Sequence, residues 1–251
     1  RGGVRAGYGV GERGVGGGLS EKKCAAGNEV TSTGVRLGGV EAGNYRANTT
    51  ASTMADITAR AITGQITAAN KGYDQTDMAT ILTRTLTGVL GADAVSYSGG
   101  AATFSDKNVA AGKTVTGTGL SLAGTDAGNY TVNSSATTTA DITAKAITGS
   151  ITAANKVYDR TDTATILTRT LSGTVAGDDI SYSGGAASFS NKNVAAGKAV
   201  IGAGLVLAGA DAGNYTVNGT ALTTADITPK AITGNITAAN KVYDANASAT
   251  I

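Results

Sequence analysis

The tetrapeptide "AITG" begins at Ala61, Ala146 and Ala231, and Tyr73, Tyr158 and Tyr243 keep the same spacing, so the chain repeats itself every 85 residues. Residues 61–145 and 146–230 align without a gap and are about three quarters identical, which makes a tandem repeat the first constraint on any fold. Extending the register backward matches residues 20–60 to the second half of a unit, and extending it forward makes 231–251 the opening of another copy. Residues 1–19 do not follow the register before about Gly16. They read as a diverged or disordered Gly/Arg-rich segment.

The core material is thin. The hydrophobic fraction is 41%, enough for packed cores, but there is no Trp and only two Phe, while 37 Gly accompany abundant Thr. Short strands joined by turns fit that composition. Residues 1–60 carry eight basic and five acidic side chains, and residues 61–251 carry twelve and thirteen, so the repeated body is nearly neutral. Lys and Arg are spread singly, without the clustered groove that nucleic acid requires. Cys24 is the only cysteine, which excludes an intrachain disulfide. No apolar run approaches the ~20 residues of a membrane-spanning helix. With no initiator Met and a break in mid-motif at Ile251, the chain reads as an internal fragment.

Within a unit, β-branched segments alternate with Gly, Asn and Asp clusters, and no stretch has a helical period. "VSYSGGAATFS", Val95 to Ser105, predicts a hairpin turning at Gly99-Gly100, with Tyr97 opposite Ala102 and Val95 opposite Phe104. About seven strands per unit predict an all-β chain of tandem immunoglobulin-like β-sandwich repeats. The alternative is a parallel β-helix. "DAGNY" at Asp126–Tyr130 and Asp211–Tyr215, with "EAGNY" at Glu41–Tyr45, suits the corner of such a sandwich. Tyr130 and Tyr215 would fold a hydroxyl onto backbone a few residues upstream. Gly128 and Gly213 would permit the turn, and Asp126 and Asp211 would accept its N–H groups.

"ITAANKVYD", "FSNKNVAAGKAV" and "ADAGNYTVNGTALTTADITPKAIT" resemble the YDG-type repeats of large filamentous-haemagglutinin-like bacterial surface proteins, over residues 20–251. The resemblance implies stalk or spacer repeats of a secreted or outer-membrane-associated adhesin, presenting a distal adhesive region at the cell surface. It departs at the glycine of Tyr-Asp-Gly, which is Gln75, Arg160 and Ala245 here. The expectation is that the backbone freedom of that glycine is unused.

The absence of histidine excludes Ser-His-Asp triads and imidazole zinc sites. The acid pair Asp159 with Asp162 is Asp74 with Asp77 one unit earlier, but the pair Asp178 with Asp179 is broken there as Asp93 with Ala94; turn and loop aspartates explain these residues more simply, and no enzyme is expected. Calcium is the one cofactor candidate, on Asp74, Asp77, Asp159 and Asp162. A polar loop after the first strand explains the same residues. "NKNVAAGK", with Asn191 and Lys198, reads as a solvated turn rather than a phosphate loop or a Lys-Asn cross-link. Unit joins with almost no loop, one holding Pro229, predict a semi-rigid rod. The expected partners are neighbouring repeats of the same chain. The second functional reading is that the modules themselves bind host glycan or protein; neither nucleic acid nor membrane insertion is expected.

Overall fold

The computed structural model describes residues 11–13 and 17–251, so most of the Gly/Arg-rich opening segment lies outside the described residues. The chain is all-β, 56% strand, with no α-helix among the described residues. Among the described residues no helix is long and apolar enough to cross a membrane. Two compact units form: residues 1–71 with 76–141, and residues 72–75 with 142–251.

The second unit shows the architecture most fully. Its larger sheet runs, in spatial order, Lys156–Val157, Thr220–Thr228, Ala195–Ala208, Ser181–Phe189 and Thr163–Ala164. Its smaller sheet runs Ile166–Ser172, Lys145–Ala153 and Tyr215–Val217. Ile151 of the smaller sheet packs on Tyr182, Leu205 and Ala221 of the larger, so the two sheets face each other across one apolar layer. Phe189, Val200 and Ile227 extend that layer along the larger sheet. The long pairings are antiparallel. Parallel pairing is confined to short contacts such as Lys145 to Ile147 beside Tyr215 to Val217, so the solenoid alternative is not what forms.

The first unit repeats this pattern. Ser96–Phe104 pairs with Ala110–Ala123 and with Met78–Ala79, while Thr63–Ala68 pairs with Ile81–Thr87. Ile66, Tyr97 and Leu120 form the shared core. The same unit holds the half repeat, a sheet of Gly17–Leu19, Ala25–Thr33 and Thr50–Ile57 in that order, with Gly11–Arg13 paired to Arg36–Gly38. Residues 231–251 form no regular strand.

The expected hairpin at Gly99-Gly100 does not form. Ser96–Phe104 is one continuous strand whose partner throughout is Ala110–Ala123. Gly99 and Gly100 have φ of 71° and 84°, and Gly119 across the pair has 71°, so both strands are kinked at the same level. The register is the same on either side of these glycines, so no residue is inserted, and the left-handed backbone on both strands shifts the side-chain alternation of each by one. Tyr97 therefore shares the buried face with Ala102 and Phe104, the grouping that a hairpin would also have produced. Arg84 donates from Nε to the Gly99 carbonyl at 2.8 Å, and Arg169 does the same to Gly184 at 2.9 Å, satisfying oxygens that the kink turns out of the ladder.

Candidate functional site

Each complete "DAGNY" folds as one short 3₁₀ turn, Ala127–Asn129 or Ala212–Asn214, after which the tyrosine enters extended backbone. The turn brings the acid and the tyrosine onto one preceding loop. Asp126 accepts the Ala94 N–H at 2.9 Å, and the Tyr130 hydroxyl accepts the Leu90 N–H at 3.1 Å while donating to Asp93 at 2.6 Å. In the next copy Asp211 accepts the Asp179 N–H at 2.9 Å, and Tyr215 accepts from Val175 at 3.0 Å and donates to Asp178 at 2.5 Å.

These partners lie 32 to 40 positions upstream, not within the turn or a few residues before it. Neither Gly128 nor Gly213 has positive φ, and a Cβ on either would meet open space. The glycines that the corner needs are Gly124 and Gly209, with φ of 120° and 115°, where a Cβ would strike the carbonyls of Ala94 and Asp179.

Around Asp178 the second unit adds a further layer. Although Tyr73 and Gln75 belong by sequence to the preceding copy, they pack in this unit. The Tyr73 hydroxyl donates to Asp178 Oδ2 at 3.0 Å and Gln75 Nε2 to Oδ1 at 2.7 Å. The Tyr73 and Tyr215 rings meet edge to face, with centroids 5.4 Å apart at 73°, a favoured aromatic geometry. The Tyr73 N–H is tied to the Thr143 carbonyl at 2.9 Å. Tyr73 is 3% exposed and Tyr215 5%. Burial first, then the Asp178 carboxylate, pushes both phenols above their ordinary range. They stay protonated donors at neutral pH, so the cluster holds a carboxylate in place and offers neither a free base nor a nucleophile.

Gln75, Arg160 and Ala245, the three residues at the motif's glycine position, have φ of 70°, 74° and 61°. The expectation that this backbone freedom is unused is therefore overturned. The loop keeps the left-handed conformation with side chains that disfavour it.

Asp74, Asp77, Asp159 and Asp162 are all exposed. In the second unit the loop's oxygens converge on an ammonium: Lys156 Nζ lies 2.8 Å from Asp159 Oδ1, 2.8 and 2.9 Å from the Thr161 carbonyl and hydroxyl, and 3.0 Å from the Thr163 carbonyl. The Lys156 contact is the main reason that Asp159 is held down to about 2. Asp77 and Asp162 use their carbonyls to accept the Phe104 and Phe189 N–H groups, both at 2.7 Å. Among the described residues no group of three or more His, Cys, Asp or Glu could hold a metal ion. The "NKNVAAGK" segment is likewise not a fully solvated turn, because Lys198 is 9% exposed with Nζ 2.6 Å from Asn191 Oδ1.

Sequence reading missed Asn133 and Asn218. Asn218 accepts the Gly149 N–H at 2.7 Å and donates to the carbonyls of Gly149 and Thr220 at 2.9 and 2.7 Å. The one available signal is the "NYTVN" spacing, which places a second amide four residues after the first in both complete copies.

All-β units in which a tyrosine and an aspartate of each complete copy are tied to a preceding loop define a tandem all-β repeat protein. The family model for the YDG domain matches residues 58–140 and again 143–224, and the two matches begin 85 residues apart (143 − 58 = 85). They cover more than half of the chain, which belongs to the YDG-domain family. No curated protein and no solved structure matches it.

Proposed function

We propose that these repeats are structural: immunoglobulin-like modules serving as the stalk or spacer of a secreted or outer-membrane-associated bacterial adhesin. The observation that carries this reading is the Tyr73–Asp178–Tyr215 cluster. A tyrosine supplied by one sequence repeat and a tyrosine from the next close on one carboxylate, so the motif's most reactive-looking groups are engaged in continuity between repeats. The immunoglobulin-like assignment draws support from two facing sheets and from a tyrosine that enters a strand and anchors a distant loop.

The second reading, that the modules themselves bind host glycan or protein, calls for exposed aromatic platforms. In the two complete repeats Tyr73, Tyr97, Tyr130, Tyr182 and Tyr215 are buried, which favours the structural role. The test is to present residues 1–251 to an array of host glycans and extracellular-matrix proteins. No saturable binding is expected. Saturable binding that an exposed-residue substitution removes would transfer the function to the modules.

A further inference from the structure

Asn218 is followed by Gly219, and no other asparagine of the 251-residue sequence precedes a glycine. The dipeptide has a chemistry of its own. In an unrestrained chain the Gly219 nitrogen reaches the side-chain Cγ of Asn218, because glycine has no Cβ to obstruct closure of a succinimide ring. The new C–N bond expels the side-chain nitrogen as ammonia, which carries off the proton of the Gly219 N–H. Water then opens the ring at either carbonyl and leaves aspartate or isoaspartate.

The fold removes that freedom. Asn218 Oδ1 accepts the Gly149 N–H at 2.7 Å, and Nδ2 donates to the carbonyls of Gly149 and Thr220 at 2.9 and 2.7 Å. The Tyr182 hydroxyl donates to the Asn218 carbonyl at 2.6 Å and the Leu205 N–H to the Gly219 carbonyl at 3.1 Å, so the peptide is pinned on both sides. Turning Cγ toward the Gly219 nitrogen means giving up all three side-chain bonds. Every residue involved belongs to one complete repeat, 146–230.

The product does not fit where the amide did. A carboxylate accepts hydrogen bonds and donates none. Aspartate at this position still receives the Gly149 N–H, but sets an oxygen against two carbonyls that have lost their donor, and stranded groups of this kind are costly. Isoaspartate also lengthens the main chain by a carbon and moves the carboxyl that Tyr182 holds off it. In the first unit Asn133 makes the same bonds to Gly64 and Ser135, but Ser134 follows it, and a side chain there hinders ring closure.

We propose that Asn218 and Gly219 form a deamidation site that the fold holds closed and that unfolding of the second unit opens. Unfolding of that unit then becomes irreversible through chemical modification of the unfolded chain, while the first unit, which lacks the glycine, returns unaltered. The site thus records the time that the second unit spends unfolded. It does not rest on the spacer reading, because the reaction needs only unfolding, whatever the modules hold or bind.

Intact mass and peptide mapping of residues 1–251 in mildly alkaline buffer, with and without urea enough to unfold both units, test it. In urea Asn218 is expected to deamidate several-fold faster than Asn133 and to be found partly as isoaspartate. Without urea it should remain an amide over the time that converts most of the unfolded chain. Gly219→Ser, which installs the residue of the first copy, should slow the reaction in urea to the rate of Asn133. After equal holds in urea and dilution, this variant should recover hydrogen-exchange protection in the second unit, whereas the unsubstituted chain recovers less the longer it is held. Asn218→Asp should lack that protection in the second unit and keep it in the first. Conversion as fast in the folded chain as in urea overturns the proposal, as does an unfolded chain that shows no preference for Asn218 over Asn133. Equal recovery of Gly219→Ser and the unsubstituted chain, including no recovery of either, overturns it too. So does an Asn218→Asp chain that keeps protection in both units or loses it in both.

Discussion

Asn133 grips both backbone groups of Gly64, 69 positions away: its Oδ1 accepts the Gly64 N–H at 2.8 Å, and its Nδ2 donates to the Gly64 carbonyl at 3.1 Å. A side-chain amide thus stands where a neighbouring strand's peptide group would be. The same nitrogen donates to the Ser135 carbonyl at 2.6 Å, and Tyr97 donates to the Asn133 carbonyl at 2.8 Å. In the second unit Asn218, Gly149, Thr220 and Tyr182 repeat the set.

Asn218→Ala removes the acceptor for one N–H and the donor for two carbonyls beside a buried ring. Each net hydrogen bond is worth about 1 kcal/mol, and a stranded buried group costs more, so a loss of about 2–3 kcal/mol is expected. Urea unfolding followed by circular dichroism measures it. A midpoint unchanged from the parent would mean that water replaces the amide at no cost.

Arg160→Gly should stabilise the second unit. Arg160 has φ of 74°, a conformation that costs a side-chain-bearing residue about 1–2 kcal/mol and glycine almost nothing. Glycine's greater freedom in the unfolded chain takes back part of that gain. A net increase of about 0.5–1 kcal/mol is expected in urea melts. Gln75→Gly relieves the same strain at φ of 70° but deletes the 2.7 Å bond to Asp178. It should gain less than Arg160→Gly, and equal gains in both would show that the amide contributes nothing.

The period and the all-β class were legible because each recurs in the sequence itself. The partners of "DAGNY" were not. Asp126 and Tyr130 act on a loop ending at Ala94 and beginning near Leu90, and nothing local in the sequence marks a contact across 32 to 40 positions. Asp93 and Asp178 looked like halves of an inconsistent acid pair, whereas each is the acceptor for a tyrosine. The Gly-Gly reading failed for a related reason. Positive φ at two adjacent glycines is required both by a hairpin turn and by a kink within a strand, and only the pairing of Ser96–Phe104 with one partner along its whole length distinguishes them.

Gly149→Ala tests how tightly the two sheets approach. Gly149 lies against the Tyr182 ring, where a Cβ would overlap ring carbons. The ring cannot retreat freely, because the Tyr182 hydroxyl is bonded to the Asn218 carbonyl at 2.6 Å. Overpacking of this kind costs typically 1–3 kcal/mol, and a loss at the upper end, about 3 kcal/mol, is expected. Gly213→Ala, at a site facing open space, is the matched control and should change stability by less than about 0.5 kcal/mol.

Stability should fall on the alkaline side. Burial raises Tyr73, Tyr97, Tyr182 and Tyr215 above the ordinary value of 10.0, and the Asp178 carboxylate adds to the effect at Tyr73 and Tyr215. A group whose folded value is raised contributes stability that is fully present below its unfolded value. That contribution is lost as pH rises toward the folded value, because the unfolded chain releases the proton first. Urea midpoints measured across the alkaline range should therefore decline from about pH 10 upward. Tyr73→Phe is expected to start from a lower midpoint, having lost its bond to Asp178, and to decline less steeply, having one fewer buried phenol to ionise. A parent and a Tyr73→Phe variant with parallel alkaline slopes would show that Tyr73 ionises as readily folded as unfolded, and would remove it from the buried cluster.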